Sequence, residues 1–133
     1  SPLLMNLRVG SRIPLFHSAI GWSYLACCTP DERKELLARA ATEGRMGDEA
    51  DQQAMVDAIV QYPERGFVFH PRPAYQINTV AATIELPVGE RYVVSCGGPS
   101  SLLPEPLMLN EVGPMLRQLA KDLQPILLMG RHI

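Results

Sequence analysis

Cys27, Cys28 and Cys96 are the strongest nucleophiles in the 133-residue sequence, and His17 and His70 are its candidate bases. An enzyme built on them would need a nucleophile beside a base, yet neither a G-x-S-x-G elbow nor a local cysteine-protease signature surrounds any of them. Glu85 and Glu90 fall on and just after an expected strand, not as a paired acid and base across a cleft. Adjacent cysteines are a poor disulfide pair, and free cysteine commonly behaves as a small buried hydrophobe. Cys27 and Cys28 therefore read as a helical core face, and the odd set of three as reduced thiols of a cytosolic protein. Two neighbouring cysteines with His17, His70 and His132 match no zinc spacing, so no metal is expected. Gly97-Gly98 lacks a following Lys and a clean helix start, so no phosphate loop and no cofactor are expected either.

Binding has more to work with. Ser18-Ala19-Ile20-Gly21 opens a helix with small residues, where unpaired N–H groups and a partial positive charge suit an anion and where a neighbour can come close. His70 and Arg72 follow at the end of a strand, with Arg72 restrained between Pro71 and Pro73. Thr79, Ala81, Ala82 and Thr83 make the next strand rich in small residues, and Ser95-Cys96-Gly97-Gly98 ends its partner. Small residues on adjacent strands leave volume on a sheet face, and apolar walls with a few polar groups make the usual small-molecule pocket. Taken singly, His70 and Arg72 also read as strand-end and solvated side chains, and Trp22 as core or interface.

The elements that would hold these residues can be placed from their patterns. Leu3, Leu4, Met5 and Leu7 suit a strand in an extended lead-in, and a helix runs from Ser18 to about Cys28. Thr29 caps the next helix, with Pro30 at its first position and Glu32 at capping-box spacing. Residues 41–47 read as a loop. Asp48 caps a third helix, with Ala54, Met55, Ala58, Ile59 and Tyr62 at helical spacing and Gly66 closing it. Strands are expected at 67–70, 79–86 and 92–96, the last two as an antiparallel hairpin, with Pro71-Arg72-Pro73 and Gly97-Gly98-Pro99 as breaks. A long helix from Pro104 to about Leu128 should be kinked or interrupted at Pro114 and Pro125. Helices packed on an antiparallel sheet make an α+β domain, one spanning 1–133, and three strands suggest a sheet incomplete at the N-terminus.

A net charge of −2 and scattered basic residues exclude nucleic-acid binding by this piece alone. No apolar run approaches the roughly 18 residues of a membrane span, so no membrane partner is expected.

Taken together, the motifs resemble those of the IclR-type transcription regulators. Gly10, Arg12, Pro14 and Leu15 match that family's Gly-x-Arg-x-Pro-Leu, and Ser18, Ala19, Gly21, Leu25 and Ala26 match the helix start that follows it. "CTPDERKELL", "RGF" at 65–67, "VAATIELP" and "VVSCGGPSS" resemble later segments in the same order. Departures include Phe16, Trp22, the stretch His70-Pro71-Arg72-Pro73, and Gly97, which stands where the family has the second serine of its Ser-x-Ser-Gly-Pro strand. The segment from Arg8 to Leu36 is similar to the subgroup that controls aromatic-acid catabolism. The resemblance implies an effector-binding domain, not an enzyme, in a cytoplasmic homo-oligomer, dimer or tetramer. It implies a small organic acid effector, with operator DNA held only by an N-terminal winged-helix domain absent from this chain. It also implies a pocket of Ser18, Ala19 and Ile20 from the helix start, His70 and Arg72, Val80 and Ala82 from one strand, and Ser95 and Gly97 from the next. A GAF-like sensory or dimerisation module of another signalling protein, or a small enzyme using Cys96 or His70, remain the alternatives.

Overall fold

The computed structural model describes residues 14–87 and 89–130. The strand expected at Leu3–Leu7, and Gly10, Arg12 and His132, lie outside the described residues. The element order is α1 (Ala19–Ala26), α2 (Pro30–Thr42), α3 (Glu49–Arg65), β1 (Val68–Arg72), β2 (Ile77–Glu85), β3 (Arg91–Pro99), a single turn α4 (Glu105–Leu107) and α5 (Gly113–Gly130). The three strands form one antiparallel sheet in the order β1-β2-β3. The chain is α+β, as the patterning predicts.

Helix starts follow local chemistry. Ser18 accepts from the Gly21 N–H at 2.9 Å and donates to the Pro14 carbonyl at 2.7 Å. Thr29 with Glu32 and Asp48 with Asp51 form reciprocal capping boxes, and Gly66 ends α3 in the left-handed region at φ 78°. α2 runs to Thr42, so the loop expected from residue 41 is shorter than the composition suggests.

Two expectations about strand ends are corrected. β1 continues through Pro71 to Arg72, and β3 through Gly97 and Gly98 to Pro99. Ladder partners override the local break signals: Pro71 faces Asn78, and Gly97, Gly98 and Pro99 face Thr79, Asn78 and Ile77. A proline can stand in a ladder where its nitrogen turns away from the neighbouring strand. The final helix is interrupted near Pro114, as expected. A π turn over Met108–Val112 precedes α5. The wider turn accommodates Pro114, which lacks an N–H and would clash with the carbonyl four residues back. α5 runs on through Pro125 without a break.

The sheet has a core on each face. α5 covers one, where Val80, Ala82 and Ile84 pack with Phe67, Met108, Leu116 and Ala120. Gly113 is required there, since a Cβ would lie 2.3 Å from the Phe67 ring. α1 and α3 cover the other, where Ala19, Trp22 and Leu25 pack with Met55, Val68 and Ala81.

Candidate functional site

The hairpin register fixes which side chains share a face. Glu85 opposite Arg91 places Ala81 opposite Ser95 and Thr79 opposite Gly97, while β1 sets Val68 opposite Ala81 and His70 opposite Thr79. Two rows thus cross the α1 side of the sheet: Val68–Ala81–Ser95 and His70–Thr79–Gly97. Successive side chains of a strand point to opposite faces. Val80 and Ala82, implied as pocket residues, therefore stand on the other face, 0% and 1% exposed in the α5 core. Thr79 and Ala81 take their place on the α1 side. The parity was available in the sequence, because a short hairpin connection pairs odd positions with odd ones here.

α1 begins over these rows. Ala19 and Trp22 pack against Val68 and Ala81, and the Trp22 ring meets His70 edge to face at 4.3 Å between centroids. The Trp22 indole N–H donates to the Phe16 carbonyl at 2.7 Å, which leaves the ring to wall the site and not to read a ligand. Gly21 answers part of why this helix starts with small residues: an added Cβ would lie 2.0 Å from the Leu15 carbonyl oxygen. The lead-in crosses directly over the first turn, and only glycine allows that approach. Ser18 and Ile20 remain partly exposed beside it, and no described residue accepts from the Ala19 or Ile20 N–H.

His70 is 9% exposed and makes no hydrogen bond among the described residues. Burial, then the charges of Arg72 and His17, hold its imidazole down to about 4. It is neutral at physiological pH, with one ring nitrogen able to donate and the other to accept. Beside it the Thr79 hydroxyl, also unbonded among the described residues, lies across Gly97, where a Cβ would come within 2.6 Å of Thr79 Oγ1. Ser95 and Gly97 are exposed. Arg72 shares the face but not the cluster: it is exposed, with its guanidinium 4.5 Å from the Tyr75 ring centroid.

The far end of this face is closed by polar bonds. Ser23 and Thr83 hydroxyls meet at 2.7 Å, and the Thr83 N–H donates to the Tyr62 hydroxyl at 2.9 Å. Burial pushes the Cys27 thiol up to about 11 and raises Cys28 as well, so neither forms a ready thiolate. Cys96 pairs with Val80 and packs on the α5 side, away from His70. No group of three His, Cys, Asp or Glu side chains suited to a metal occurs among the described residues. Thr79, Ala81 and Tyr62 are the residues that the motif comparison did not single out.

This sheet, with helices on both faces, is a fold found in transcription regulators. The described structure superposes on an IclR family transcriptional regulator from Brucella abortus with TM-score 0.83 at 23% identity, covering 93% of this chain and 47% of that one. It superposes on the Agobacterium tumefaciens repressor BlcR with TM-score 0.71 at 17% identity, over 91% of this chain and 50% of that one. A double mutant of the inducer-binding domain of the Acinetobacter PobR transcription factor, solved with 3-hydroxybenzoic acid, gives TM-score 0.63 at 15% identity, over 93% of this chain and 76% of that one. In sequence, the chain is 26% identical over 126 residues to the HTH-type transcriptional regulator TsaQ1/TsaQ2 of Comamonas testosteroni, covering 92% of this chain and 45% of the relative. No protein-family model matches the chain. The chain spans about half the length of the sequence relative and of the first two structures. All of these proteins are transcription regulators and none is an enzyme. No helix among the described residues is long and apolar enough to cross a membrane.

Proposed function

We propose that this chain is the effector-sensing part of a cytoplasmic IclR-type transcription regulator and that it binds a small organic acid on the α1 side of its sheet. The observation that carries this reading is His70. Its ring is nine-tenths buried against Trp22 and has no hydrogen-bond partner among the described residues, while its nitrogens stay reachable from outside, since no fully buried side-chain nitrogen or oxygen there is left unpaired. A neutral imidazole reachable from outside, beside a free hydroxyl, can both donate to and accept from a ligand. The acid's carboxylate would accept from the Ala19 and Ile20 N–H groups, beside Ser18, where the helix field favours negative charge. Its body would lie over Thr79, Ser95 and Gly97, and His70 and Thr79 would bond a second polar group such as a ring hydroxyl. Arg72, exposed over Tyr75, would stand at the mouth and act only at a distance.

An aromatic acid fits the small-residue floor and the Trp22 wall, and the PobR neighbour's 3-hydroxybenzoic acid is a ligand of that class. Regulation of a catabolic operon follows from this ligand class. An acid that prefers one arrangement of the protein shifts its population toward it. Operator DNA would be held by a winged-helix domain outside these 133 residues, since the net charge of −2 offers no phosphate patch. Homo-oligomer formation, as dimer or tetramer, fits the exposed side of α5, where Met115, Leu119, Ile126 and Met129 are 71%, 44%, 59% and 70% exposed. Trp22, at 5% exposure, contributes to the core instead.

A thermal-shift screen of carboxylic acids tests the reading. An acid at about 100 times its Kd should stabilise the chain by about 2.7 kcal/mol. Stabilisation by nucleotides with none from any carboxylic acid would overturn it.

A further inference from the structure

The proposed effector site continues into a cleft of about 280 Å³ beside α3 and β1, where His17, Trp22, Asp51 and His70 share the lining. The turn between α2 and α3 rests on this end of the site. Nε2 of His17 donates to the Arg45 carbonyl at 3.0 Å, and Met46 packs half-buried against the core cluster that contains Ala19 and Trp22. Glu43, Gly44, Arg45 and Gly47 are exposed around it.

α2 is fastened unevenly. At its start, Arg91 donates to both Glu32 carboxylate oxygens at 3.2 and 2.9 Å, and its guanidinium lies 5.5 Å from the Tyr24 ring centroid. Paired charge-assisted bonds of this kind are strong and directional. Beyond that point Ala40 is the one buried residue of the helix, and Leu36 and Leu37 are only half-buried. The far end reaches the site through Met46 and a single hydrogen bond open to water, which is among the weaker attachments a protein makes. The joint to α3 is built to move. Gly44 and Gly47 stand in the left-handed region at φ 68° and 73°, a region that glycine enters and leaves at little cost. Gly47 also passes so close that an added Cβ would lie 2.7 Å from both the His17 ring and the Asp51 carboxylate. The capping boxes at Thr29 and Asp48 keep both helices intact whichever way the turn lies.

We propose that α2 and the turn after it form a strap that pivots at the Glu32–Arg91 pair and gates the effector site, with Met46 and the His17–Arg45 bond as its latch. The proposal rests on the effector reading above. With the latch set, the turn covers the approach to the helix start at Ser18. Lifted, it lets an acid in. Closed again, it keeps water from the carboxylate and so strengthens the bonds from the Ala19 and Ile20 N–H groups.

The test begins without ligand. Trp22 is the only tryptophan of the chain and lines the cleft, so acrylamide quenching of its fluorescence reports lifting of the strap. Met46→Ser should raise the quenching constant severalfold with the melting temperature little changed, because only a local opening is eased. The wild type supplies a second reading that needs no variant: amides of residues 37–47 should exchange faster than those of residues 55–62 in α3. The most stabilising carboxylic acid from the thermal-shift screen then gives the rates by stopped flow. Met46→Ser should raise association and dissociation together, each by about fivefold or more, since a gate slows entry and exit alike. Unchanged quenching, or exchange no faster than in α3, would overturn the strap. A rise in dissociation alone would make Met46 a ligand contact and overturn the gate. A screen in which no acid binds would sink the effector reading instead, while quenching and exchange still decide whether the strap moves.

Discussion

The two faces of the sheet are built from the same three strands and do opposite things. On the α5 side Val80, Ala82 and Ile84 are each at most 3% exposed, and the one polar position of β2 there, Asn78, is satisfied by donating to the Leu103 carbonyl. On the α1 side the corresponding positions are Thr79, Ala81 and Thr83, with His70, Ser95 and Gly97 as neighbours. Part of that polarity is satisfied internally by Ser23 and Tyr62, and part, at His70 and Thr79, is left open. One face thus supplies stability and the other is the one proposed to bind the effector, and a substitution should reveal which face it belongs to by whether it moves the melting temperature or the affinity for acid.

The largest expected effect is on stability. Met108 is fully buried in the α5 core, and Met108→Ala should cost about 2–5 kcal/mol through lost burial and the cavity left behind. Denaturant unfolding would show this, while acid affinity, measured well below the new transition, should stay within about twofold. A large loss of affinity at unchanged fold would blur the distinction between the faces.

Next comes His70→Phe, which keeps the ring against Trp22 and removes the nitrogens. Acid affinity should fall about tenfold or more, equivalent to roughly 1.4 kcal/mol or above. Stability at neutral pH should hold, because the aromatic packing against Trp22 is kept and no hydrogen bond among the described residues is lost. Calorimetric titration and thermal unfolding on the same samples separate the two.

The pH dependence sharpens the contrast further. His70 is held at about 4, below the ordinary histidine value of 6.5, so the fold favours its neutral form. The stability this contributes is fully present above about pH 6.5 and is lost as pH falls toward 4. Glu32 behaves in the same sense in a lower window: its hydrogen bonds from Arg91 hold it at about 2, so its contribution is present above about 4.5 and fades as pH falls toward 2. Unfolding midpoints between pH 7 and 4 should therefore decline in the wild type and decline less in His70→Phe. Parallel curves would show that His70 is not the group responsible.

The smallest effect is expected from Arg72→Ala. With its guanidinium over Tyr75 and exposed, Arg72 should contribute no more than about threefold to acid affinity, well under a fully desolvated charge-assisted bond. A hundredfold loss would mean that Arg72 leaves Tyr75 and swings into the pocket.

What the sequence made legible divides along similar lines. Caps are local, so Ser18, Thr29 with Glu32, Asp48 and Gly66 could be read directly, and each stands where its chemistry predicts. The hairpin was legible from its short connection. Pro71 and Gly97-Gly98 misled as breaks because the pairing that carries strands through them comes from β2, some residues away. Val80 and Ala82 were assigned to a pocket through motif resemblance, which carries positions but not parity. Which face α1 covers is decided by tertiary packing, and no local signal gives it. The open state of His70 was likewise invisible, because it depends on Trp22 and on the absence of a described partner, not on the residues beside it in the chain.

The most direct measurement is a calorimetric titration of the most stabilising carboxylic acid from the thermal-shift screen, and of its carboxylate-free counterpart, into wild type and His70→Phe, with two-dimensional amide spectra recorded at saturation. The account predicts saturable binding of the acid, shifts at the Ala19 and Ile20 amides, no comparable binding of the carboxylate-free compound, and a loss of about tenfold or more in His70→Phe. Equal affinity in both proteins, or shifts centred on α5 with none at the start of α1, would contradict it.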